Sequence, residues 1–406
     1  CQALIDAGVD VLVLDSVGQK MSKRLGNAVE PFEVIKTHGA DSLRWYMITN
    51  SQPWDNLKFG IEGVVEVKQK FFSTIYNIYS FFVLYANIDG FKYKEGAIAI
   101  DERPVLDRWI LSELNTLVLD VDSYYSMYEP TLVGRAIQSF VVDKLSNWYV
   151  RLCRRRFWKG LYDDNKISAY QTLYDCLVTV AKLSSPIAPF FMDRLFCDLN
   201  KVTKKELVES IHLSDFPNTK DLFQDCSLEE KMRLTKNVCS LALSLRKQEG
   251  LRVRQPLSSL TVCLSGGSSN DVFVDLICSE INVKNVFFED NSNDLVSKKL
   301  VVNFPVLGKK HGKLMKDIVS VVGDFGDSEV SVFEKEGQIE VLVLNKKLIL
   351  NSDDLLVKVM DVPGVITAKN DDALVILNTE ISEKLREEGF AREFVNRVQN
   401  IRRDLK

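Results

Sequence analysis

Three histidines and eight cysteines are all that this 406-residue chain offers for metal or thiol chemistry. The cysteines stand at Cys1, Cys153, Cys176, Cys197, Cys226, Cys239, Cys263 and Cys278, with no C-x-x-C pair. That scatter gives no usable zinc spacing, and in a reducing compartment each thiol packs as a small apolar group. No charged start followed by an apolar stretch marks a secretory leader, and no apolar run approaches the roughly eighteen residues of a membrane span. The expectation is a cytoplasmic protein with no membrane partner. Positive charge is not in excess either: 52 Lys and Arg face 56 Asp and Glu, a net charge of −4. A wholesale basic nucleic-acid binder is thereby excluded, and a nucleic-acid partner would have to be met by local patches. Internal repeats and low-complexity tracts are absent.

The chain does have ample apolar content, 46%, and a length that allows about two to four domains. Its most informative stretch is Lys20-Met21-Ser22-Lys23-Arg24, followed at once by Leu25-Gly26-Asn27 and preceded by the apolar run Val11-Leu12-Val13-Leu14. Two ammonium groups three residues apart, with a small Ser between them and a Gly to let the loop move, suit closure over a triphosphate. They would neutralise charge that builds on phosphate oxygens in a transition state. A compact charge on a flexible stem makes Lys apt for that task. The plain alternative is a solvated Lys/Arg turn. Downstream, Pro31 fits a first helical position, Gly39 a left-handed stop, and Asp41 the cap of a second helix carrying Leu43, Tyr46 and Met47.

The whole succession over 20–47 closely resembles class I aminoacyl-tRNA synthetases of the valine, isoleucine and leucine group. It narrows to the isoleucyl members at 50–59, at Tyr76-Asn77-Ile78-Tyr79-Ser80-Phe81-Phe82, at Asp107-Arg108-Trp109-Ile110-Leu111-Ser112 and at 145–158. The last of these is similar to the helix heading the isoleucyl anticodon-binding bundle, with Cys153 where a polar residue is expected. The resemblance runs from about residue 11 to the end, as the C-terminal portion of such an enzyme. It implies that Lys20, Met21, Ser22 and Lys23 form the ATP loop, with Lys23 on the phosphates and Lys20 assisting as the catalytic charges. ATP would bring Mg²⁺. Some isoleucyl enzymes carry a C-terminal zinc-binding cysteine cluster, and this chain does not, so no zinc is expected. Isoleucine, ATP and tRNA(Ile) are the implied substrates of the full enzyme, a monomer in expectation.

The implied fold is multidomain and mainly α. Residues 1–63 would be the tail of a Rossmann-type catalytic domain, although the opening 1–10 does not match the family and reads only as a helix–Gly–strand unit. Residues 64–249 would be a helical anticodon-binding bundle, 250–380 an α/β and β-rich C-terminal domain, and 381–406 a basic helix with Arg392, Arg397, Arg402 and Arg403. Apolar stripes at helical spacing mark the bundle: Phe71, Ile75, Ile78 and Phe82; Leu111, Leu114, Val118 and Val121; Leu234, Val238, Leu241 and Leu245. Ser227-Leu228-Glu229-Glu230 reads as a capping box, with Gly250 as the stop of its helix. The Gly/Ser loop at 265–270 has no Lys after it and reads as a plain flexible turn, and His38, His212 and His311 lack the partners of catalytic histidines.

For tRNA, the candidates are Arg151, Arg154, Arg155, Arg156 and Lys159, interleaved with Trp148, Tyr149, Phe157 and Trp158. Cations on the backbone and aromatic faces under splayed bases are how single-stranded RNA loops are read. The competing possibility is that Trp148, Tyr149 and Phe157 are bundle core. Arg252 and Arg254, after Gly250, are second candidates. The His-x-Gly-His element of class I active sites is not in this sequence, nor is an editing insertion. The chain alone is therefore expected to be inactive, a fragment of an isoleucine–tRNA ligase. A stand-alone tRNA-binding module and a valyl-type or leucyl enzyme are the alternatives; the 145–158 stretch argues against the latter two enzymes.

Overall fold

Val13–Leu14 (β1) and Leu57–Lys58 (β2) pair in parallel, Val13 opposite Leu57 and Leu14 opposite Lys58. Parallel neighbours require a crossover. Here it carries the lysine loop, a 3-10 turn at Lys23–Leu25, and two helices, Pro31–His38 (α1) and Ala40–Asn50 (α2). In this computed structural model the described residues are 13–220, 222–265, 272–289, 298–343, 346–359 and 364–405. The expected helix–Gly–strand unit at 1–10 and most of the Gly/Ser loop at 265–270 lie outside them.

Pro31 takes the first helical position, as its missing N–H suggests. Gly39 ends α1 at φ +90°, a positive-φ backbone that favours glycine, though its ψ of 147° lies outside the left-handed helical well. Asp41 does not cap its own helix. It sits buried inside the first turn of α2, pairs with Arg44, and accepts the amide of Phe191 at 2.6 Å, so it caps a helix far along the chain.

The bundle follows as Ile61–Val67 (α3), Ser73–Asp89 (α4), Val105–Ser126 (α5), Pro130–Ser139 (α6), Arg151–Trp158 (α7), Asp164–Ser184 (α8) and Pro189–Thr203 (α9). Two joints inside it are π-helical, Lys68–Phe72 between α3 and α4 and Phe140–Val150 between α6 and α7. Such wide turns are uncommon and tend to occur at functional places. The predicted stripes are core: Phe71, Ile75, Ile78 and Phe82 are buried, as are Leu111, Leu114, Val118 and Val121. At Gly134 a Cβ would come within 2.4 Å of the Thr49 methyl, so α6 and α2 touch where no side chain fits. This contact ties the loop region to the bundle within the first compact unit, which ends at Glu229.

Cys226–Gln248 (α10) is capped by Asp225, which accepts the Leu228 amide at 2.9 Å. Ser227 therefore lies inside the helix and is not its cap, and Glu229 is drawn to the hydroxyls of Ser112 and Thr116. The second compact unit, Glu230–Lys406, begins within α10 and not after it. Gly250, at φ +65°, does stop the helix.

In the second unit Leu257–Leu264 (β3), Val274–Ile281 (α11) and Val283–Phe288 (β4) form a parallel crossover. The chain then makes an excursion: Lys298–Val302 (β5), helices Phe304–His311 (α12), Met315–Gly323 (α13) and Asp327–Glu336 (α14), and strands Gln338–Val343 (β6), Lys346–Asn351 (β7) and Leu355–Val359 (β8). Leu300, Leu307, Ile318, Phe333, Val341 and Leu350 share its core. Val365–Lys369 (β9) and Ala373–Asn378 (β10) return to the first sheet, ordered β4-β3-β10-β9. The sequence showed strands after 339 but not the three helices before them. Arg246 is a buried guanidinium without a carboxylate; it donates to the carbonyls of Arg252, Gln255 and Asn282 at 3.0–3.1 Å, and burial pushes its pKa down to about 10. The terminal helix is Glu383–Asp404 (α15), and Phe394, Val398 and Ile401 along it are exposed. Among the described residues no helix is long and apolar enough to cross a membrane.

Candidate functional site

The lysine loop is shaped by two side chains at its base. Asp15 accepts the amides of Val17 at 3.1 Å and Gln19 at 2.7 Å, and the side-chain amide of Asn27 at 2.9 Å. Asn27 in turn accepts the Ser22 amide at 2.8 Å and donates to the Lys20 carbonyl at 3.3 Å. Ser22 caps the 3-10 turn by accepting the Arg24 amide at 3.2 Å, and Gly26 closes it at φ +69°. Hydrogen bonds from Asn27, then from the Gln19 amide, hold the Asp15 carboxyl below its ordinary value.

With that clamp in place, Lys20, Lys23 and Arg24 are exposed, and none forms an ion pair among the described residues. The nearby carboxylate is spent on backbone amides, so the loop presents uncompensated positive charge. Polyphosphate oxygens are what such a loop fits. Met21 and Ser22 are half-buried and act on its shape. Among the described residues no group of three His, Cys, Asp or Glu gathers to hold a metal ion.

The second cationic element is the helix running through the Phe140–Val150 π segment into α7. Its inner face is apolar: Tyr149, Cys153 and Phe157 are buried, so two of the three aromatics in question belong to the core, while Trp148 is half-buried and Trp158 is 56% exposed. The outer face holds Arg151 over Trp148 at 5.4 Å, Arg154 over Phe81 at 5.5 Å, Arg155, and Lys159 over Trp158 at 5.8 Å. Arg151 also donates its Nε to the Asn147 carbonyl at 2.6 Å; a cation stacked on a ring still presents its charge at the surface.

Arg156 is different. Its guanidinium turns inward to the fully buried Asp107, with bonds of 2.6 and 2.8 Å, and donates to the Asn165 carbonyl at 2.6 Å. Asp107 also accepts from Tyr149 at 2.9 Å and Ser168 at 2.5 Å. Burial works against the Arg156 charge, but the paired bonds to Asp107 outweigh it and raise its pKa. The expectation that Arg156 binds RNA is therefore corrected: it is an internal cation, consumed by the bundle. Cys153 lies against it, 3.5 Å from a guanidinium nitrogen, and burial pushes that thiol up to about 12.

In the second unit Arg252 and Arg254 are exposed, and both face Glu393 of α15, at 3.2 and 3.6 Å. They are partly compensated, unlike Lys20 and Lys23. The His212 ring lies 3.3 Å from the Pro189 carbonyl, and its backbone amide donates to Ser210.

Residues 107–262 match the family described as the anticodon-binding domain of tRNA ligase, and residues 6–60 match the class I tRNA synthetases for I, L, M and V. The isoleucine–tRNA ligase of Bacteroides fragilis is 48% identical over 395 residues, 97% of this chain and 35% of that relative. The chain belongs to the isoleucine–tRNA ligase family. A more distant relative, the isoleucine–tRNA ligase of Clostridium acetobutylicum, is 38% identical over 97% of this chain and 38% of its own length. Among solved structures, Mycobacterium tuberculosis methionyl-tRNA synthetase aligns at TM-score 0.39 and 20% identity, over 51% of this chain and 43% of that one.

The chain thus spans about a third of the length of the curated relatives it matches. The family match from residue 6 takes in part of the opening segment that the sequence pattern sets apart. It also includes the whole clamp from Asp15 to Asn27. Asp107 opens the anticodon-binding match, and its role was missed in the sequence. The available signal was an acid directly before an apolar helical run, opposite a helix with one arginine on its inner side.

Proposed function

We propose that the chain serves an isoleucine–tRNA ligase: ATP-dependent activation of isoleucine, then transfer of the acyl group to tRNA(Ile). In this reading Lys23 holds the ATP phosphates and Lys20 assists, with Met21 and Ser22 setting the loop's geometry. The observation that carries it is the pair of exposed ammonium groups, without an ion pair among the described residues, on a loop held at its base by Asp15 and Asn27. Adenylate formation develops charge on the α-phosphate and the leaving pyrophosphate. Positioning and charge stabilisation, not covalent help, are what that chemistry needs from the protein. Mg²⁺ bound to the ATP would add charge neutralisation at the phosphates. The protein's share is to orient the polyphosphate and supply two movable cations.

The RNA is met by Arg151, Arg154, Arg155 and Trp158 on the outer face of the bundle helix, with Arg252 and Arg254 as a second patch. The setting is cytoplasmic and the state monomeric. Because the sequence contains no His-x-Gly-His element, isoleucine-dependent pyrophosphate exchange by the chain alone is expected to be undetectable. The test of the reading is binding of the chain to a tRNA(Ile) transcript and to the same RNA with its anticodon loop exchanged, across a salt titration. Preference for the native loop supports it. Equal binding to both, with a steep salt dependence, would leave only phosphate contacts and remove the assignment of anticodon reading to this helix.

A further inference from the structure

A groove of about 480 Å³ lies on the first unit, away from the loop's lysines and the bundle's arginines in sequence. Phe72 and Phe191, packed edge to face at 5.2 Å, belong to its lining. Tyr76, 57% exposed, and Phe190, 68% exposed, line it as well. Two large exposed rings in one cleft, beside two packed ones, offer stacking faces to a flat group. They are not stray surface residues of the kind that need no explanation.

The charge around the slot decides what flat group fits. Lys68, at one end of the first π segment, lines it and is anchored by one donor to the Thr37 carbonyl at 3.2 Å, which leaves its other donors for a ligand. The Arg44 guanidinium lies over the Phe190 ring at 5.0 Å. His38 lines the same cleft. The only carboxylate in the lining is Asp41, and both its oxygens are used, one by Arg44 and one by the Phe191 amide. Aromatic faces with cations and no free carboxylate match an unstacked nucleobase and its phosphate.

We propose that this groove takes an unstacked base from the body of the bound tRNA, seated between Tyr76 and Phe190 with its phosphate on Lys68. The proposal rests on the reading that RNA is the partner. It adds a contact separate from the anticodon, and two of its three residues, Lys68 and Tyr76, lie between the stretches matched to the synthetase and anticodon-binding families.

The test uses the full chain and two probes, an intact tRNA(Ile) transcript and the isolated anticodon stem–loop of that RNA. The variants are Tyr76→Ala with Phe190→Ala, and Lys68→Gln. The rings are largely solvent-exposed, so folding is preserved, and an unchanged melting temperature verifies it. The double variant is expected to weaken intact tRNA about tenfold, as loss of base stacking does, while leaving the stem–loop unchanged. Lys68→Gln should weaken intact tRNA less and make its salt dependence shallower. Unchanged binding of intact tRNA would overturn the groove assignment while leaving the anticodon reading standing. Equal weakening of both probes would overturn it too, by showing a general effect. Failure of the unaltered chain to bind either RNA would remove both.

Discussion

The loop at 15–27 and the helix at 140–158 each carry a run of cations, and they differ in what those cations face. At the loop Asp15 is turned onto backbone amides and Asn27, and among the described residues no carboxylate pairs with Lys20, Lys23 or Arg24. At the helix the run is divided. Arg151, Arg154 and Arg155 point out, while Arg156 is drawn into the core by Asp107, 49 residues earlier in the chain. A run of like charges is therefore no measure of available charge. What decides is whether a carboxylate reaches the run, and through which face of its element.

The largest effect that would break this contrast comes from Asp107→Asn. It leaves the Arg156 guanidinium without its counter-ion inside the bundle, a change that costs about 3–5 kcal/mol. The midpoint of urea unfolding should fall accordingly. A destabilisation below about 1 kcal/mol would mean that Arg156 can turn to solvent, and the division between inner and outer arginines would collapse.

Next in size is the pair Arg154→Ala and Arg155→Ala. Stability should change by no more than about 0.5 kcal/mol, as for exposed positions. The slope of log affinity for tRNA against log salt should become shallower by roughly one for each phosphate that the variant no longer neutralises. An unchanged slope would assign these arginines to solvent. The smallest effect concerns the loop. Asp15 has a depressed folded pKa, so the clamp is present above the ordinary carboxylate value of about 3.9 and is lost as pH falls through the depressed one. The amide shifts of Val17 and Gln19, followed by NMR titration, should hold at pH near 4 and move only below it. Asn27→Ala should bring that midpoint up toward the ordinary value. Coincident midpoints in the two proteins would remove Asn27 from the clamp.

Local chemistry was readable in the sequence wherever cause and effect sit within a few residues. Pro31 opens α1, Gly250 ends α10, and the stripes from Phe71 to Phe82 and from Leu111 to Val121 are buried. Features set by distant partners were not. Asp41 has the composition of a cap and is one, but for the helix opening at Pro189 rather than its own. Ser227 followed by two glutamates has the pattern of a capping box, yet Asp225 takes the cap and Glu229 is claimed by the helix carrying Ser112. The helices at 304–336 are short and acquire their apolar faces only through the strands on either side, which pair across the whole excursion from Val302 to Leu355. Of the candidate site, the run from Lys20 to Arg24 stood out in the sequence, but the Asp15–Asn27 clamp beneath it did not. The fate of Arg156 depended on a contact that no periodicity encodes.

The π-helical stretch Phe140–Val150 bears on how this region can be engineered. Each i→i+5 turn advances the side chains by a smaller angle than an α turn does, and the difference accumulates along the stretch. Residues 130–158 are continuous, yet they do not form one ideal rod. A helical wheel drawn at constant pitch from Pro130 loses phase before it reaches Arg151. Grafting α7 onto a straight scaffold helix, or trimming a residue from the stretch, would rotate its arginines away from the direction in which the native bundle presents them.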